Sequence, residues 1–148
     1  MSLWGPGPLD NDDALDWLAE FESEPGIVAL NDAFDDVLRP DDADYLEVPE
    51  AAAAICAAVI VAALVADTPE GAPLSERAIR ELRRSYMGLL PSAKGRLVRR
   101  ALESLKACTH ETRSELFELA HEVPAIGQAW LEELDAVKLR LAGVAGES

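Results

Sequence analysis

The chain has 148 residues and a formal net charge of -15 at pH 7, with 49% hydrophobic and 28% charged residues. That hydrophobic share excludes a disordered chain despite the charge, and the length suits one compact domain, residues 1–148, with a core of its own. Aromatic residues make up 5% and cysteine occurs twice, as Cys56 and Cys108, so the core is built from Ala, Leu, Val and Ile, and a disulfide scaffold is excluded.

The chain opens on an arm, residues 1–9, in which Gly5 and Gly7 alternate with Pro6 and Pro8 behind Trp4. Glycine frees the backbone and proline fixes it, so the arm is expected to hold a defined, irregular shape, with Trp4 folded back on the bundle. Asp10 or Asn11 is positioned to cap a first helix over Asp12–Glu22, whose acidic first turn suits the helix dipole. Leu15, Leu18 and Phe21 are its candidate apolar contacts. Pro25-Gly26 interrupts, and a second helix over Ile27–Leu38 carries Ile27, Leu30, Phe34, Val37 and Leu38 on one side.

A polar turn over Pro40–Asp44 leads to a third helix with Pro49 in its first turn. It runs through Ala51–Ala66, an uninterrupted apolar stretch that falls short of the ~20 residues a bilayer span requires. A central buried helix is therefore expected, and no membrane span. After a loop over residues 67–73, Ser75 caps a fourth helix ending near Gly88, and Pro91 opens a fifth through Cys108. Glu111–Glu122 and Ala125–Ala142 complete the chain as two helices or one kinked at Pro124, and residues 143–148 read as a frayed tail. No segment alternates with period two. The expected fold is all-α: a single compact bundle of six or seven helices around the Ala-rich central helix.

The opening resembles that of a bacterial domain-of-unknown-function family, number 4259 in that series. Its members begin with Trp-Gly-x-Gly leading into Asp-Asn-Asp, matched here by Trp4, Gly5, Gly7, Asp10, Asn11, Asp12, Ala14, Asp16 and Trp17. Pro6 and Leu9 depart from the small polar and aromatic residues expected there. A weaker likeness covers the Ala-rich segment 51–66 and Trp130–Leu141. The resemblance implies a helical layout and no assigned activity, cofactor or catalytic residue.

Charge is unevenly spread: residues 1–76 hold eighteen acids against Arg39 alone, whereas residues 77–148 hold twelve bases and ten acids. Arg77, Arg80 and Arg84 share one face of the fourth helix; Arg96, Arg99 and Arg100 share one on the fifth. Such faces suit phosphates, and basic helices over residues 76–106 make nucleic acid an alternative partner. The anionic whole disfavours it, and internal neutralisation by the acidic first half, with a local Glu76–Arg80 pair, is the expectation.

Asp10, Asp12, Asp13 and Asp16 raise a calcium or magnesium site, and a metal-dependent hydrolase using Asp10, Asp12 and Asp16 is the enzyme alternative. An EF-hand loop begun at Asp10 puts Leu15 where glycine belongs and Phe21 where the bidentate Glu belongs, so capping is preferred. Cys108, His110, Glu111 and His121 carry zinc-donor types without zinc spacing, and no thiol nucleophile is supported. No cofactor is expected. The candidate functional surface is Trp4, Gly5, Gly7, Asp10, Asn11, Asp12, Asp16 and Trp17. The reading favoured is a non-catalytic, cytoplasmic protein-binding or regulatory module. It meets a basic partner through the acidic surface of residues 10–50, and a homodimer stays open.

Overall fold

The computed structural model of the protein describes residues 7–38, 45–66, 73–110 and 113–147. Seven helices lie in them: α1 (Asp12–Ser23), α2 (Ile27–Val37), α3 (Val48–Val65), α4 (Glu76–Met87), α5 (Pro91–Cys108), α6 (Glu115–Ala120) and α7 (Pro124–Glu147). No strand occurs among the described residues. The protein is an all-α bundle.

α3 is its centre. From Ala51 to Leu64 every side chain but Val59 is buried, on all sides of the helix. A helix apolar all round satisfies no single face, so it must be enclosed by neighbours, and α1, α2, α5, α6 and α7 all pack on it. Its 18 residues are long and apolar enough to cross a membrane by composition, yet 78% of that span is buried inside the protein. The small alanines let the surrounding helices approach closely. The Cys108 thiol reaches the Ala51 carbonyl at 3.8 Å, bringing the end of α5 to the start of α3.

Helix limits follow local chemistry. The Ser75 hydroxyl accepts the Ala78 amide at 3.2 Å, and Pro91 opens α5 where a missing N–H costs nothing. Pro124 likewise sits in the first turn of α7, so the C-terminal segment is two helices rather than one kinked helix. α7 buries Trp130, Leu134, Val137 and Leu141 at alternating spacings of four and three. It continues through Gly143 to Glu147, so the expected frayed tail is helical as far as Glu147.

α6 starts later than the apolar pattern suggests, at Glu115 instead of Glu111. The cause is a pairing with a distant segment. The Leu46 amide donates to the Arg113 carbonyl at 2.7 Å, and the Glu115 amide donates back to the Leu46 carbonyl at 2.9 Å, forming a parallel bridge. Ser114 is thereby held extended, just after a turn in which the Arg113 amide donates to the His110 carbonyl. Ser114, fully buried, caps α6 by accepting the Phe117 amide, and the Glu115 carboxylate accepts the Val48 amide at 3.0 Å, capping α3 from across the bundle. Glu50 adds a local cap by accepting the Glu47 amide at 2.8 Å.

α1 corrects one apolar assignment. Ala14 and Phe21 are buried and Leu18 packs on the core, but Leu15 is 39% exposed. With Ala14 and Phe21 defining the inward side, Leu15 falls among Asp12 and Asp16 on the solvent side.

Candidate functional site

Trp4 and Gly5 lie outside the described residues, as do Pro40–Asp44, residues 67–72 and Glu111. The rest of the N-terminal motif forms a capped turn. The Asp10 amide donates to the Gly7 carbonyl at 3.1 Å, while the Asp10 carboxylate accepts the Gly7 amide at 2.8 Å. Gly7 suits that approach: a Cβ there would lie 2.8 Å from Asp10 Oδ2, so the carboxylate would have to shift. Asn11, fully buried, is the N-cap, its Oδ1 accepting the Ala14 amide at 2.8 Å. Its Nδ2 is buried without a hydrogen-bond partner.

The aspartates therefore divide. Asp10 faces back into the turn, whereas Asp12 and Asp16 are exposed on the outer side of α1 with Glu20. Burial, then repulsion from Asp16 and Asp12, pushes the Asp13 carboxyl up from its ordinary value. No group of three or more His, Cys, Asp or Glu side chains among the described residues is placed to hold a metal ion. Trp17 is half-buried and stacks on Phe21, ring centres 5.0 Å apart, so it belongs to the packing of α1.

Among the described residues, internal neutralisation of the basic helices by the acidic half is seen at Arg100. Arg100 pairs with Asp35 and donates to the Asn31 carbonyl at 3.3 Å, tying α5 to α2. The local pair on α4 is Arg77–Glu81 at 3.6 Å; Glu76 and Arg80 do not meet. Arg80, Arg84, Arg96 and Arg99 are exposed, and no ion pair among the described residues engages them. Helix orientation explains this. α4 buries Ala78, Ile79, Leu82 and Tyr86, and α5 buries Leu97, Val98, Ala101 and Leu105, which leaves these arginines on the outward sides.

The zinc-donor residues separate too. Cys108 is fully buried, and burial pushes its thiol up to about 12, with Glu50 adding to the rise; burial does the same to Cys56. Neither supplies a thiolate at neutral pH. His121 instead stacks on Phe117 at 4.1 Å and meets Trp130 edge-on at 6.3 Å, while its Nδ1 donates to the Phe117 carbonyl at 2.9 Å.

A cleft that the sequence does not announce lies where α5 ends against α6 and α7. A cavity of about 470 Å³ is lined by Lys106, Thr109, His110, Phe117, Leu131 and Lys138. A second, of about 380 Å³, shares Lys106 and His110 and adds Arg113, Glu103, Val37 and Leu38. The Lys138 ammonium donates to Thr109 Oγ1 at 2.9 Å and lies 3.5 Å from Asp135; the Thr109 hydroxyl donates onward to the Leu105 carbonyl at 2.8 Å. Lys106 and His110, one turn apart, were a readable pair. Lys138 joins them only through the packing of α7 on α5.

These features define an acidic helical bundle with an acidic outer face on α1 and a cationic cleft at the end of α5. A family model described as Domain of unknown function (DUF4259) matches residues 2–133, and the chain belongs to that family. No curated protein and no solved structure matches the chain.

Proposed function

We propose that the protein is a non-catalytic binding module that docks a basic protein partner on the outer face of α1. The observation that carries this reading is that Asp12, Asp16 and Glu20 are exposed on the outer side of α1 together with Leu15, a large apolar side chain left 39% in solvent. Two other acids of the first half are already used: Asp35 holds Arg100, and Glu22 accepts the Ser75 amide at the start of α4. The three α1 acids make no ion pair among the described residues, so their field is available to a partner and steers its approach. The exposed Leu15 on the same helix supplies an apolar contact for such an interface. The buried, unbridged cysteines suit a reducing cytoplasm.

The test places a photo-crosslinking residue at position 15 in the native cell. The expected adduct is a basic protein, and Asp16→Lys with Glu20→Lys should cut its yield tenfold or more while the melting temperature stays unchanged. Crosslinking that ignores the charge reversal overturns the reading.

A second reading, phosphate binding by α4 and α5, draws support from the exposed Arg80, Arg84, Arg96 and Arg99. The net charge of -15 opposes it. A gel shift with unspecific RNA decides: a complex at low salt that dissolves as salt rises, and that Arg84→Glu with Arg96→Glu abolishes, supports phosphate binding.

A further inference from the structure

We infer that the cleft between the end of α5 and the middle of α7 binds a small organic anion with an apolar body, an aryl phosphate or carboxylate in kind. This site is on different helices from the α1 face and does not depend on that reading.

Charge convergence is the first argument. From Ala101 onward the chain holds nine acids and four bases. Three of those four bases, Lys106, Arg113 and Lys138, line the two adjoining cavities, and Glu103 is the one acid among their described lining residues. In so acidic a chain, random placement would put carboxylates there. The site gathers cations from positions far apart in sequence, with Asp135 pairing Lys138 at its edge.

Shape and lining supply the second argument. The larger depression, about 470 Å³ and broadly open to solvent, matches in volume the roughly 300–1,000 Å³ of small-ligand sites. Its lining sets the apolar side chains of Phe117 and Leu131 beside Lys106, His110 and Lys138. Phe117 is fixed from behind by His121 and by Trp130, its ring centre 6.1 Å from the indole. An apolar body against Phe117 and Leu131 would direct its oxyanion at the ammonium groups.

Lys138 is also set in advance. Thr109 Oγ1 and Asp135 take two of its three N–H groups, and its side chain is 22% exposed, so one donor is held at the cleft with little freedom left to lose. The negative end of α5 by itself calls for a base near Thr109. It does not call for a depression of this size beside that base, or for Phe117 and Leu131 in its lining.

Isothermal titration of the full chain at low salt tests the site with phenyl phosphate, benzoate, inorganic phosphate and benzyl alcohol. Phenyl phosphate or benzoate is expected to bind once per chain, at least tenfold tighter than inorganic phosphate and benzyl alcohol, because both halves of the site are used. Lys106→Gln, on an exposed side of α5, should weaken that binding fivefold or more without moving the melt. Leu131→Glu should weaken it further by placing a carboxylate in the apolar part of the lining. Should Lys138→Gln unfold the chain, the Lys106 and Leu131 variants still decide. No saturable binding of either aryl anion at millimolar concentration overturns the inference. Binding matched by benzyl alcohol, or unaffected by Lys106→Gln, overturns it equally.

Discussion

Gly127 packs directly beneath the His121 imidazole: a Cβ at position 127 would lie 2.6 Å from His121 Cγ and Cδ2 and 2.9 Å from its Cα. The turn between α6 and α7 therefore closes only because residue 127 has no side chain. Gly127→Ala should cost about 1–3 kcal/mol by overpacking, even though alanine is the better helix former. His121→Ala in the same chain removes the obstructing ring, so the double variant should unfold at higher denaturant than Gly127→Ala alone. Equal midpoints would show that the backbone contact, not the ring, sets the limit.

Asn11 is the only described residue whose side chain caps α1, and it does so while fully buried. Asn11→Ala should destabilise the protein by about 1 kcal/mol, within the roughly 0.5–2 kcal/mol that loss of an N-cap costs. Asn11→Ser keeps an acceptor and removes the unpartnered Nδ2, so it should cost less than alanine. Urea denaturation of the three proteins ranks them.

Asp13 predicts a pH dependence of definite sign. Its folded-state carboxyl titrates above the ordinary 3.8, through burial first and then repulsion from Asp16 and Asp12. The folded chain thus holds that proton more tightly than the unfolded chain. The charged form weakens folding above the raised value, and the penalty vanishes below the unfolded value. Asp13→Asn should raise the melting temperature at neutral pH, with the gain shrinking to nothing well below the ordinary value of 3.8, where the carboxyl is uncharged folded or unfolded. Melts of both proteins across that range check it.

Much of the fold was legible because local chemistry and burial agree. The run from Ala51 to Ala66 has no polar face to show solvent, so its central position follows from composition. Ser75, Pro91 and Pro124 mark helix starts by what their side chains do to the backbone. Leu15 and the start of α6 were misread for the same reason: tertiary contacts outrank local pattern. α1 turns on Ala14, a residue too small to register in a count of large apolar side chains, and the Leu46 bridge claims the backbone that would have begun α6. The cleft was hidden more deeply. Lys138 and Thr109 are 29 positions apart, and no spacing rule links them.

The Leu46 bridge also imposes an order on folding. Val48 and Glu115 are 67 positions apart, and closing a bare loop of that length costs about 4 kcal/mol in chain entropy. Two weakly stabilising backbone bonds do not outweigh that. Once α3 and α5 have docked, with Cys108 against Ala51, only a few residues at either end remain to be brought together. Closure therefore comes after docking, and a protected Leu46 amide marks molecules in which the central helices have already met.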